Sequence, residues 1–148
     1  MGMSRISYSA VVLDESSSNR LEQEFASKIP DGWKLASDHN KNTTGHKFHM
    51  TIKMGGLPDE LKSEVGKSVT LTSSRIGEDD RAYALEVTGD LADLAIKFAK
   101  EKNKDKIPHI TIAFTEKPFH SNTIPELNWK SPPNTIRLTG TIQEIAQG

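Results

Sequence analysis

The sequence contains no cysteine among its 148 residues. This absence excludes disulfides, zinc–thiolate sites and cysteine nucleophiles. No apolar run approaches the ~20 residues that a membrane-spanning helix needs. Neither charge sign dominates, since 19 basic and 20 acidic residues give a formal net charge of −1. Proteins that bind long nucleic acids usually carry a basic surface, so a partner of that kind is not expected.

Low-complexity tracts are also missing, and no targeting segment is expected. The seven prolines and ten glycines are scattered along the chain. Residues 1–4 show neither the charged nor the apolar region of a secretory signal. The length suits one compact unit that can bury a real core. We therefore expect a single domain over residues 1–148 and a cytoplasmic location.

Alternating and helical periodicities divide the chain into short strands and helices. Strands are predicted over 6–13, 33–36, 47–54, 68–76, 81–88, 107–114 and 135–145, and helices over 17–28, 58–64 and 91–102. Residues 37–45 are predicted to form a polar loop. Residues 116–134 contain four prolines and are predicted to be irregular, and a loop of that length inside a compact domain is usually functional.

Two of these strands carry the same His-x-Thr triplet in the middle of an alternating pattern. The triplets are His49-Met50-Thr51 and His109-Ile110-Thr111. Residues i and i+2 of a strand share a face and lie ~6–7 Å apart, so each imidazole is presented beside its own hydroxyl. One triplet of this kind arises easily by chance. Two, each on the polar face of a strand, indicate a site, whereas the alternative interpretation is the exposed face of an antiparallel sheet.

Two histidines and two threonines suit phosphodiester cleavage without a metal. A neutral imidazole takes a proton from the attacking hydroxyl, and a protonated one gives a proton to the leaving oxygen. The threonine hydroxyls donate hydrogen bonds to the non-bridging oxygens, where negative charge must be held. Lys53, which the alternation places on the face of Thr51, adds positive charge. His39, His46 and His49 have no acidic cluster beside them, so neither a metal nor a cofactor is predicted.

Two aromatic residues have equally good structural and functional interpretations. Tyr8 shares a face of the first strand with Ile6 and Ala10, so it belongs either to the core or to a ligand site. Trp129 lies in the irregular segment, where an aromatic ring either stacks on a nucleobase or anchors the loop to the core.

The two triplets, about sixty residues apart, resemble those of the 2H phosphoesterase superfamily. The resemblance implies an α+β, bilobal fold in which two antiparallel sheets face a central cleft, with helices on the outside. It implies that His49 and His109 form the acid–base pair. It also implies that Thr51 and Thr111 bind the phosphate.

Further residues resemble the small phage 2H proteins that degrade the cyclic di- and trinucleotide signals of bacterial CBASS immunity. The segments that carry this likeness are 8–14, 49–55, 108–112 and 117–122, followed by a tryptophan. It implies a cyclic oligonucleotide substrate, base contacts from Tyr8 and Trp129, an acidic contact from Glu126, and action in the host cytoplasm. Two alternatives stay open: a 2′,3′-cyclic phosphodiesterase acting on RNA ends, and a sponge that binds cyclic nucleotides without cutting them. The sequence gives no oligomeric state.

Overall fold

The structure is a computed structural model that describes residues 6–43, 47–103, 107–116, 124–125, 128–131 and 135–146. The strands are β1 (Ile6–Leu13), β2 (Lys34–Leu35), β3 (His49–Met54), β4 (Ser68–Glu78), β5 (Ala82–Thr88), β6 (His109–Phe114), β7 (Trp129–Lys130) and β8 (Arg137–Ala146). The α-helices are α1 (Glu15–Phe25), α2 (Ala36–Thr43) and α3 (Asp90–Glu101). Short 3-10 helices span Ala26–Lys28 and Asp59–Glu64. None of the helices in these ranges combines the length and apolar character that a membrane crossing requires.

The strands form one antiparallel sheet that closes on itself. Their order is β2-β6-β3-β1-β8-β4-β5, and β5 pairs in turn with β6. Six strands therefore make a ring, to which β2 and β7 are added at β6 and β4. The predicted mixture of helices and antiparallel strands is confirmed. The predicted separation into two sheets is not confirmed, because the hydrogen-bonded pairing is continuous around the ring.

The main hydrophobic cluster lies on one face of the ring. Alternate strand residues supply it, among them Val11, Leu13, Met50, Ile52, Leu85, Ile110, Ile112 and Leu138. All three helices add side chains to the same cluster: Leu21 and Phe25 from α1, Ala36 from α2, and Ala92 and Phe98 from α3. Full burial of a side chain such as leucine or phenylalanine contributes about 1.5–3 kcal/mol. The face of β3 and β6 turned away from this cluster carries both histidines, and we call it the histidine face.

Helix α2 occupies most of the segment for which a polar loop was predicted, so that prediction is wrong. Its first residues, Ala36 and Ser37, are buried. The ring of His39 packs edge-on against Phe114, with centroids 5.6 Å apart. A polar segment with weak helix propensity becomes helical here because tertiary packing overrides local preference.

The beginning of α1 is set by a side-chain cap. Asp14 Oδ1 accepts a hydrogen bond of 2.8 Å from the backbone N–H of Ser17, the arrangement favoured at helix N-termini. Its other oxygen accepts a hydrogen bond from the hydroxyl of Thr139 on β8. Helix α1 therefore begins at Glu15, two residues before the predicted position, and its first turn is tied to the last strand.

Candidate active site

The two triplet strands are neighbours in the ring, and their contact is centred on the triplets. Met50 is the register partner of Ile110. When the antiparallel register is continued by one residue on either side, Thr51 lies opposite His109 and His49 lies opposite Thr111. Opposite residues have Cβ atoms about 4.5–5.5 Å apart, and diagonal neighbours are about 7–8 Å apart. The register therefore brings the four predicted residues together on one face. All four side chains are half-buried.

Each triplet is followed at once by a β-bulge. In the β1–β3 ladder, Ala10 pairs with Thr51 and Ser9 with Lys53, which leaves Ile52 as the extra residue. In the β5–β6 ladder, Ala84 pairs with Thr111 and Tyr83 with Ala113, which leaves Ile112 as the extra residue. Bulges redirect the side chains that follow them and are frequent beside active sites. The alternation that begins at each histidine therefore ends at the isoleucine that follows its threonine.

This bulge changes the position expected for Lys53. Its Nζ donates hydrogen bonds of 3.1 Å to the carbonyl of Met54 and 2.9 Å to that of Gly56. It also lies 5.8 Å from the ring centroid of Phe98, a member of the main cluster. The expectation that Lys53 continues the face of Thr51 is corrected accordingly, because its amine is held at the turn after β3. Its role in substrate binding stays a prediction. A substrate phosphate would have to compete with these two carbonyls for the amine.

Tyr8 lies beside the first histidine. Its ring centroid is 5.0 Å from that of His49, with the ring planes inclined by 31°. The side chain is half-buried, and Tyr8 is absent from the main hydrophobic cluster. The Tyr8 ring therefore lies beside His49 and outside the main cluster, and its role in a ligand site stays a prediction.

The second histidine is held by backbone and indole contacts. His109 Nδ1 lies 2.8 Å from the carbonyl oxygen of Ile107. A carbonyl only accepts, so Nδ1 carries the proton in this hydrogen bond and proton exchange with a ligand falls to Nε2. The ring of Trp129 lies 6.4 Å from that of His109, centroid to centroid.

Trp129 is buried, with only 6% of its surface exposed. Its indole N–H donates a 3.4 Å hydrogen bond to the carbonyl of Ile124. Trp129 is also the register partner of Gly77 on β4, where an added methyl group would lie 2.6 Å from the indole ring. Together with Ala82, Ala84 and Ile124 it forms a second, small hydrophobic cluster. Its burial supports the anchoring interpretation over direct stacking on a base.

Sequence reasoning missed an ion pair beside His109. Glu86 on β5 is the register partner of His109, so the two side chains project from the same face. Arg75 donates two hydrogen bonds to the Glu86 carboxylate, from Nε to Oε1 at 2.7 Å and from Nη2 to Oε2 at 2.9 Å. The hydrogen bond from Arg75 lowers the pKa of Glu86, so this carboxylate is ionised at neutral pH. Alternation on β5 puts Glu86 on the polar face, but only the β5–β6 register reveals which residue it meets.

Some predicted residues lie outside the described residues. Glu126 is one of them, as are His46 and the segment 117–122. Within the described ranges, no group of three or more histidine, cysteine, aspartate or glutamate side chains is arranged to hold a metal ion. A surface cavity of about 540 Å³ lies against α3 and is lined by Asp93, Ile96, Lys97, Lys100 and Glu101. This lining contains no histidine and no member of either triplet.

Comparison with known proteins identifies solved structures that have a similar fold. Neither family models nor curated proteins gave a match, but solved structures did. Escherichia coli LigT complexed with NADP⁺ is 15% identical, with a TM-score of 0.50 over 99% of this chain and 96% of that one. LigT complexed with 3′-AMP is 17% identical, with a TM-score of 0.50 over 92% and 84%.

A further crystal structure, of a phosphoesterase, is 18% identical, with a TM-score of 0.52 over 92% of this chain and 84% of that one. LigT and this phosphoesterase are members of the 2H phosphoesterase superfamily. Similarity at this level of identity establishes the fold alone. The chain thus has the fold of these proteins over most of its length, and the resemblance based on the triplets is confirmed at the level of the fold.

Proposed function

We propose that this protein is a metal-independent phosphodiesterase that cleaves cyclic di- and trinucleotides, with His49 and His109 as the acid–base pair. Thr51 and Thr111 bind the non-bridging phosphate oxygens. The observation that carries the proposal is the Met50–Ile110 register pair. Continued by one residue on either side, this register puts the two histidine positions on a diagonal about 7–8 Å apart, with a threonine opposite each histidine. A phosphate placed between them has a proton carrier on either side and a hydroxyl donor from each strand.

In the proposed reaction, the 2′-hydroxyl of a ribose attacks the adjacent phosphorus. One imidazole, neutral, takes the proton of that hydroxyl as the new P–O bond forms. The other imidazole, protonated, gives a proton to the 5′-oxygen as the old P–O bond breaks. The products are a 2′,3′-cyclic phosphate end and a free 5′-hydroxyl, so the ring is linearised. For His109 the exchanging atom is Nε2, because Nδ1 is held by the carbonyl of Ile107.

Three observations support a small nucleotide substrate. The formal net charge of −1 gives no general attraction to long nucleic acids. The Tyr8 ring packs beside His49 and offers an aromatic surface at the site. LigT, which shares the fold, has been crystallised with NADP⁺ and with 3′-AMP. The proposal includes a phage counter-defence role against CBASS. It also includes a cleft between two lobes, which would meet at the β3–β6 register pair.

Product analysis on a matched substrate panel tests the proposal. The panel contains 3′3′-cGAMP, a cyclic trinucleotide and an RNA ending in a 2′,3′-cyclic phosphate, each incubated with and without EDTA. We expect linear products from the cyclic nucleotides in both conditions. Processing of the RNA end alone would replace the proposed substrate with the RNA-end alternative, and tight binding without products would establish a sponge. Loss of activity in EDTA that added metal restores would refute the metal-free mechanism.

A further inference from the structure

The Arg75–Glu86 pair occupies a position that the acid–base chemistry does not explain. Glu86 lies opposite His109 in the β5–β6 register. Its side chain is 13% exposed, whereas that of Arg75 is 29% exposed. The Glu86 side chain is therefore the more buried of the two, and the Arg75 side chain is the more exposed one.

The geometry of the pair holds the Arg75 guanidinium in a fixed orientation. Glu86 takes hydrogen bonds from Nε and Nη2, which fixes the plane of the guanidinium. A guanidinium has five N–H donors in a rigid array that matches the oxygens of carboxylates and phosphates. Orienting such a group in advance reduces the entropy lost when it binds an anion. The pair therefore fixes the orientation of a cationic group in addition to joining two strands.

The location of Arg75 relative to the histidines sets what it can reach. Arg75 lies on β4, which pairs with β5, and β5 pairs with β6. Two strand spacings of about 4.8 Å separate its backbone from that of His109. The reacting phosphate would lie between His109 and His49, on the far side of β6 from Arg75. An anion contacted by Arg75 is therefore a second anion, displaced from the first toward β4.

We propose that Arg75, held by Glu86, binds a second phosphate of the substrate, next along the nucleotide chain from the phosphate that reacts. This inference rests on the proposed function and narrows it. The site then prefers substrates with at least two phosphates, such as cyclic dinucleotides and oligonucleotides. Nucleotides with a single phosphate lack the group that Arg75 recognises.

A binding experiment with unreactive ligands tests the subsite separately from catalysis. The deoxydinucleotide of two adenosines, with and without a 5′-phosphate, offers two phosphates or one and has no 2′-hydroxyl to react. We expect the wild type to bind the two-phosphate ligand about tenfold more tightly, a difference of about 1.4 kcal/mol. In Arg75→Gln this preference should vanish. Arg20→Gln, on the exposed outer side of α1, is the matched control and should keep it.

A kinetic experiment adds the link to turnover. The substrates are adenosine 2′,3′-cyclic phosphate and a diadenosine whose 3′ end carries the same cyclic phosphate. Arg75→Gln should lower kcat/KM about tenfold for the second substrate only. Equal losses on both substrates, or a retained two-phosphate preference, would overturn the inference. If the wild type cleaves neither these substrates nor the cyclic nucleotides of the substrate panel, the proposed function fails and the binding preference still decides the subsite.

Loss of folding is separated from loss of recognition by a second variant. Arg75→Gln leaves Glu86 without its partner, which can destabilise the fold. The double variant Arg75→Gln with Glu86→Gln removes the unpaired charge and should melt close to the wild type. It should still show no preference for the second phosphate, and a restored preference in this variant would contradict the inference.

Discussion

At the scale of single residues, the two histidines have different surroundings. His49 has the Tyr8 ring beside it. His109 has a backbone carbonyl at Nδ1, an indole nearby and Glu86 opposite in the register. The pseudo-equivalent triplets therefore lie in unlike environments, as a reaction with one proton acceptor and one proton donor requires.

Replacing either histidine tests the acid–base pair. His49→Ala and His109→Ala should each lower kcat by about 10²–10⁴-fold. Both side chains are half-buried on the face away from the main cluster, so the melting temperature should change little. The wild-type pH–rate profile should be bell-shaped. Gln23→Ala, at an exposed position of α1, serves as the control, and near-normal rates in either site variant would rule that histidine out.

Three ionised carboxylates make the stability sensitive to acid. Side-chain hydrogen bonds lower the pKa of Asp14, Glu86 and Glu144, from Thr139, Arg75 and Lys62 respectively. A pKa that is lower in the folded state means that the unfolded state takes up protons first. The stability is therefore complete above the ordinary carboxyl pKa and is lost as the pH falls through the lowered value.

Urea unfolding measured across pH checks this expectation. The free energy of unfolding should be nearly constant at neutral pH and decline below about pH 5. Glu144→Gln should flatten part of the decline, because its carboxylate accepts hydrogen bonds from Lys62 and from the backbone N–H of Leu57. Glu60→Gln, at an exposed position, should leave the curve unchanged. A Glu144→Gln curve with the full wild-type slope would contradict the assignment.

At the scale of secondary structure, alternation predicted the two triplet strands and the polar face on which each His and Thr lie. It failed after the isoleucine that follows each threonine, at Lys53 and Ala113. A bulge depends on the partner strand and cannot be seen in the sequence of one strand alone. Helix α2 was missed because its stability comes from packing against β6. The pairing of Glu86 with His109 could not be predicted, since it requires the register of two strands separated by α3.

Gly77 provides a test of how β7 supports the site. A Cβ at this position would lie 2.6 Å from the Trp129 ring, so Gly77→Ala should push the indole out of its place. Overpacking of this kind costs about 1–3 kcal/mol. We expect a lower melting temperature, altered Trp129 fluorescence in a Trp33→Phe background, and reduced kcat through the displaced contact with His109. Glu78→Ala, the exposed neighbour, is the control.

Altered fluorescence with unchanged activity in Gly77→Ala would show that the indole does not support His109, and unchanged fluorescence would contradict the expected displacement of the ring. A fall in stability without a fall in kcat would limit Trp129 to anchoring. Both results would leave the acid–base pair itself unaffected.

At the scale of the whole molecule, the ring depends on the pairing of β1 with β8. Gly140 lies opposite Leu13 in this ladder. An added Cβ would meet the carbonyl oxygen of Val12 and would lie 3.0 Å from the Cα of Leu13. These are backbone atoms, so no side-chain rotation can relieve the contact.

Gly140→Ala should therefore separate β8 from β1 and destabilise the protein by at least the 1–3 kcal/mol typical of overpacking. Urea unfolding measures the loss, and Gln143→Ala, at an exposed position of the same strand, is the control. A Gly140→Ala variant as stable as the wild type would mean that the ring does not need this close approach.

The same ladder has a kinetic consequence. Val11 meets Ile142 and Leu13 meets Gly140, so the first strand finds its partner only after almost the whole chain between them has been made. A ribosome adds about 5–20 residues per second. The edge of β1 that pairs with β8 therefore has no partner for at least several seconds. Contacts of such long sequence separation also slow folding, toward the millisecond-to-second range. During synthesis, β1 is therefore the strand most exposed to pairing with the wrong partner, and a chaperone that binds extended apolar segments would find its target there.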